Sequence, residues 1–155
     1  MSTGKSDVSL VIHAPREAVY AALLDPQQRV KWLAPDNMKG VVHSFDAREG
    51  GTYRMSLTYQ DVEKSMGGKS TEDTDTFTGR FEELVPNEKV VEVIIFEADD
   101  PKFAGEMRMT WRLKDADGGT EIGVLTEDIP EGIKPEDNAE GSRMSLRNLA
   151  ALLEE

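Results

Sequence analysis

The chain has 155 residues with 18 Lys and Arg against 30 Asp and Glu, a formal net charge of −12, and no cysteine. That length suits one domain over residues 1–155, with residues 1–6 expected as a flexible N-terminus and a core that needs no covalent staple. The missing thiols exclude disulfides, a cysteine nucleophile and Cys-ligated metal centres, and a negative surface without a basic cluster excludes nucleic acid as a partner.

Val8, Leu10 and Ile12 alternate with Ser9, Val11 and His13, the period of a half-buried strand, until Ala14-Pro15 stops it. Ala18, Ala21, Ala22 and Leu23 then recur at helical spacing through Arg16–Leu24, and Asp25-Pro26 ends the run. A second short helix, Pro26–Leu33, carries Val30, Trp32 and Leu33 and closes before Pro35.

From Gly40 the period is two. Strands are expected over Val41–Ala47, Thr52–Gln60, Glu72–Val85, Lys89–Glu97, Glu106–Lys114 and Thr120–Thr126, with turns at Glu49-Gly50-Gly51, Pro86-Asn87 and Asp117-Gly118-Gly119. The polar stretch Asp61–Ser70 reads as a mobile hairpin loop. Lys89–Glu97 is nearly continuously apolar, the mark of a central strand. Pro135 opens a last helix to Leu153, with Glu136 and Asp137 favourably placed against its dipole and with Ser142, Leu146, Leu149 and Leu153 in one stripe. The order implies an α+β domain built on an antiparallel sheet of six or seven strands.

Chemical motifs are sparse. His13 and His43 lie on separate expected strands without metal-binding spacing, so neither a metal nor a cofactor is predicted. Asp73 and Asp75 begin like a calcium loop that Phe77 and Thr78 then break. Gly68-Lys69-Ser70 resembles the end of a phosphate loop, but Glu63 replaces its first glycine. No nucleophile elbow occurs, and Glu82-Glu83 and Asp99-Asp100 are expected in solvent. With neither a signal peptide nor an apolar run of ~18 residues, no membrane span is expected, and the cytoplasm is the expected location.

The remaining signal is apolar. Tyr53, Met55, Leu57, Phe77, Phe81, Met107, Met109 and Trp111 fall on single strand faces; with Trp32 and with Ser142, Leu146 and Leu149 of the last helix they are the candidate lining of a ligand cavity. The same residues would serve an ordinary core, and it is the adaptable methionines that weigh toward a ligand. Arg54 and Arg80 alternate to the other face, and Asp75 and Glu92 are the carboxylates sharing a strand with cavity residues.

Gly141-Ser142-Arg143-Met144-Ser145-Leu146-Arg147-Asn148-Leu149 resembles the Gly-Trp-x-x-Ser-Leu-x-x-Leu helix of the SRPBCC (START-like) superfamily, in particular the homologues of the activator of the heat-shock chaperone ATPase. Ala14–Tyr20, Lys31-Trp32-Leu33-Ala34-Pro35, Gly50-Gly51-Thr52-Tyr53 and Gly79–Leu84 extend the resemblance over nearly the whole chain. It implies a helix-grip fold, a curved sheet wrapped around the long C-terminal helix with an apolar tunnel between them. The expected function is binding of a small hydrophobic or amphipathic molecule by a bacterial protein, without covalent chemistry. The alternatives are a cyclase- or hydratase-type enzyme using Asp75 or Glu92 in the same cavity, and a module contacting a chaperone. The eukaryotic activators carry a further N-terminal domain for which this length leaves no room, and Ser142 stands where the family pattern has tryptophan, so that position is expected to be buried.

Overall fold

The computed structural model describes residues 4–33, 38–59, 74–97, 101–103 and 105–154. The elements are β1 (Gly4–Ile12), α1 (Arg16–Leu24), α2 (Pro26–Leu33), β2 (Met38–Phe45), β3 (Thr52–Tyr59), β4 (Thr74–Val85), β5 (Lys89–Phe96), a single 3-10 turn at Pro101–Phe103, β6 (Met107–Ala116), β7 (Gly119–Ile129) and α3 (Pro135–Leu153). One antiparallel sheet runs β1-β7-β6-β5-β4-β3-β2. This is the α+β architecture expected from the element order and, in particular, the helix-grip fold that the family resemblance implies.

Several boundaries differ from the expected ones: β2 runs Met38–Phe45 rather than Val41–Ala47, paired with β3 from Met38↔Tyr59, and β6 continues past Lys114 to Ala116 because β7 pairs with it as far as Gly119. β1 begins at Gly4, because pairing with β7 from Gly4↔Ile129 onward recruits residues 4–6, which the polar sequence alone leaves outside any strand. β7 likewise continues to Ile129 where its own pattern had ended at Thr126. The expected Asp61–Ser70 loop lies outside the described residues.

The sheet curves at irregularities in the ladders, between Val42 and Ser44 in β2 and between Phe81 and Glu83 in β4, as bulges do by adding a residue to one strand. The concave face collects Val8, Ile12, Tyr53, Met55, Phe77, Phe81, Val90, Ile94, Met107, Met109, Trp111, Leu113, Ile122 and Val124 into one core with Leu146 and Leu149 of α3. α3 packs chiefly on β1 and α2, with smaller contacts to β7 and α1. The opposite, convex face mixes ion pairs with the apolar Val91, Val93 and Ile95 of β5: Arg54 pairs with Glu97 at 2.7 Å, and Arg80 with Glu82 at 3.1 Å. No helix among the described residues is long and apolar enough to cross a membrane.

Candidate functional site

α2 reaches the concave face because Asp25, accepting from the Gln27 amide at 2.9 Å, starts the helix immediately before Pro26. Arg29 lies one turn before Trp32 and Leu33, so it shares the apolar face of α2. α3 holds the end of α2: Ser145 Oγ donates to the Leu33 carbonyl at 3.3 Å and Asn148 Nδ2 to the Trp32 carbonyl at 3.4 Å. Trp32 Nε1 and Arg29 Nη1 donate in turn to the carbonyls of Ala22 and Leu23, groups that the end of α1 would otherwise leave unpaired.

Arg29 thereby enters the core at 1% exposure and meets Glu92 of β5, which is completely buried. Arg29 Nη2 donates to Glu92 Oε2 at 2.5 Å, Trp111 Nε1 donates to the same oxygen at 2.8 Å, and the Tyr53 hydroxyl donates to Oε1. The sheet register makes this convergence possible. Tyr53 opposes Gly79, whose neighbour across the next ladder is Ile94, and Glu92 lies two residues along from there on the same face. A Cβ on Gly79 would collide with the Tyr53 ring, so glycine lets the ring lie across β4 and reach β5.

Aromatic side chains close around the cation. The Arg29 guanidinium carbon lies 5.0 Å from the Tyr53 ring centre, 5.5 Å from Trp32, 5.7 Å from Phe45 and 5.9 Å from Phe81, all within cation–π range. Trp32 and Trp111 meet edge to face at 5.4 Å. Burial is the largest single influence on Arg29 and opposes its charge, but the charge of Glu92, with Tyr53 and the hydrogen bond, more than offsets it and holds the guanidinium above its ordinary value. Burial, followed by the Glu92 charge, pushes the Tyr53 phenol well above its ordinary value of 10.0.

The expected cavity residues Trp32, Tyr53, Met55, Phe77, Phe81, Met107, Met109, Trp111, Leu146 and Leu149 all belong to this one core, with Leu57 packed against it. Ser142 is buried at 7% exposure. Arg29 was not legible as a site residue, although its spacing from Trp32 put it on the buried face. Glu92 was picked out only as a carboxylate sharing a strand with cavity residues; in the structure it faces inward between Val90 and Ile94 on a strand buried on both faces.

Two other places bring polar groups together. A hollow of about 550 Å³ lies between the His13–Glu17 segment and the β6–β7 turn, open to solvent and away from every expected cavity residue. On the convex face His43 Nε2 lies 2.8 Å from Ser56 Oγ, which also meets Thr76 Oγ1 at 2.9 Å. β3 is flanked by strands on both sides, so its amides belong to the ladders and none is left to stabilise an oxyanion beside that serine.

Comparison with known proteins agrees with this architecture. Residues 13–154 match the family model described as Activator of Hsp90 ATPase homolog 1-like protein. The solved structure of protein CV1439 from Chromobacterium violaceum is 34% identical, with a TM-score of 0.86 and 98% of each chain covered. A Rhodobacter sphaeroides protein superposes with a TM-score of 0.78 at 21% identity, covering 97% of this chain and 91% of that one, and protein Ms6760 from Mycobacterium smegmatis at 0.74 and 17%, with the same coverages. The last two show the fold alone. A search of curated proteins found no match. The fold is of a ligand-binding type in general, and the chain belongs to the Activator of Hsp90 ATPase homolog 1-like family.

Proposed function

We propose that the protein binds a small, largely apolar molecule between the concave face of the sheet and the helices α2 and α3, without covalent chemistry. The observation that carries this reading is the Arg29–Glu92 pair set among aromatic side chains in the middle of the core. Stability does not call for such a pair, since well-packed apolar residues in place of a buried ion pair are often as stabilising or more so. A few polar groups in an otherwise apolar interior are what orients a bound small molecule. Because Trp32, Tyr53, Met55, Trp111 and Leu146 are all at most 1% exposed, entry requires α2 or its side chains to move aside.

The enzymatic alternative is disfavoured at Glu92, because it is completely buried and its two oxygens already accept from three donors, leaving a single acceptor position on Oε1 and no exposed face toward which a substrate proton could be drawn. A chaperone contact of the kind the family description suggests would use the outer surface, where Arg54, Arg80 and Arg108 are engaged with Glu97 and Glu82.

Ser142→Trp tests the reading by restoring the bulk of the family pattern. If the space beside Ser142 belongs to the ligand, the variant melts no lower than the parent and no longer takes up 2-propionylnaphthalene, followed by calorimetry because the substitution adds a third tryptophan to the two of the parent. A stability loss of about 1 to 3 kcal/mol from overpacking, with uptake unchanged, would contradict it.

A further inference from the structure

Two buried side-chain polar atoms among the described residues have no hydrogen-bond partner, Arg29 Nε and Thr126 Oγ1. Such groups are rare in folded proteins, because each forgoes its bonds to water without replacement. Their placement is not random. In the sheet register Glu92 of β5 opposes Met109 of β6, and Met109 opposes Thr126 of β7, so the three share one row across the concave face. Arg29 is anchored at the Glu92 end of that row, and the completely buried Thr126 stands at the other. Two strand spacings separate the ends by on the order of 10 Å. Between them lies Met109, a side chain that adapts readily to a neighbour's shape.

Resting on the binding function proposed above, we infer the chemical class of the ligand: a neutral, elongated apolar molecule with a carbonyl oxygen at one end, accepting from Arg29 Nε, and a hydroxyl or second carbonyl on the order of 10 Å away, meeting Thr126 Oγ1. The carbonyl follows from the kind of group left over. Arg29 is a donor only, and its Nη1 and Nη2 are engaged by Leu23 and Glu92, so what it lacks is an acceptor. Neutrality follows from charge. Arg29 and Glu92 already balance, and a carboxylate ligand would bring an uncompensated negative charge into a site with no access to water. An ammonium ligand is unfavourable for the same reason and would meet the cation of Arg29 inside its own aromatic surround. The second group is less constrained, because a threonine hydroxyl both donates and accepts.

Four probes on one ring system test the assignment in the full-length protein: 6-hydroxy-2-propionylnaphthalene, 2-propionylnaphthalene, 2-propylnaphthalene and 6-hydroxy-2-naphthoic acid, each titrated by calorimetry. The hydroxyketone is expected to bind tightest, the ketone next and the hydrocarbon third, with the ketone favoured over the hydrocarbon by about tenfold or more, as for a hydrogen bond to a charged group, and the acid weakest. Thr126→Val, which removes the unpartnered hydroxyl at nearly constant shape, should abolish only the advantage of the hydroxyketone while raising the melting temperature of the free protein by about 2 to 4 °C. Arg29→Met combined with Glu92→Gln removes both charges together, so that neither is left alone, and should abolish only the ketone's advantage over the hydrocarbon. Equal binding of the three neutral probes would overturn this inference, as water alone would then meet Arg29 Nε, while leaving the apolar binding function standing. Tightest binding by the acid would overturn the neutral assignment. Failure of all four to bind would overturn the binding function and this inference with it.

Discussion

Removing the Arg29 guanidinium while leaving Glu92 in place strands a carboxylate with no exposure to water, whereas removing both charges strands neither. Arg29→Met is therefore expected to cost about 3 to 5 kcal/mol, and adding Glu92→Gln should recover most of that loss, because the glutamine carbonyl still accepts from Trp111 or Tyr53. Urea denaturation of the parent, both single variants and the double variant checks this; additive losses would mean the two side chains do not act as a pair. Tyr53 gives a second handle, through pH. Its phenol is raised well above 10.0 in the folded protein, so above that pH the unfolded chain sheds this proton while the folded one keeps it. Folding then binds more protons than unfolding, and stability falls as pH rises. The contribution is whole below pH 10 and is lost on the way up to the folded value. Tyr53→Phe should flatten the alkaline decline, measured by denaturation between about pH 8 and 11. An equally steep decline in the variant would remove Tyr53 from the account.

Among the elements, β4 and β5 do most to position the site, and both were legible, though unequally. Period-two patterning predicted the buried faces of β3 and β6, whereas β5, nearly continuously apolar, showed no alternation, and Glu92 stood out only as a carboxylate sharing a strand with cavity residues. Arg29 was hidden because a charged residue on a short helix that also carries Gln27, Gln28 and Lys31 reads as solvent-facing; its spacing from Trp32 is the sequence signal against that reading, and the docking of α2 under α3, through Ser145 and Asn148, shows the outcome. The extension of β1 to Gly4 was invisible for a similar reason, since its first residues form strand only because β7 supplies the partner. Gly79 was legible as a motif residue but not as a spacer for the Tyr53 ring. Gly79→Ala should force that ring off β4, break its bond to Glu92 and cost about 1 to 3 kcal/mol, as overpacking does. Thermal denaturation together with the near-ultraviolet circular dichroism of the aromatic cluster checks it; an unchanged spectrum and melting temperature would contradict the close packing.

Over the whole molecule, charge is sorted by depth. The −12 surface carries arginines in pairs on the convex face, and the interior holds the neutralised Arg29–Glu92 pair where a compact α+β core could have done without it. That separation, and the position of α3 chiefly over β1 and α2, leaves the concave surface of β3 to β5 faced by side chains of α2 and by aromatic rings. The central claim, that this interior receives a ligand, is tested most directly by nitrogen-15 NMR of the uniformly labelled protein during titration with 2-propionylnaphthalene. The chain has two tryptophans, so the indole signals of Trp32 and Trp111 are readily assigned, and the Arg29 Nε–H is observable in the same spectrum. Interior binding predicts saturable shifts of Trp32, Trp111 and Arg29 Nε–H together, with the folded pattern otherwise retained. Shifts confined to surface amides, with those three signals unmoved at saturation, would contradict it.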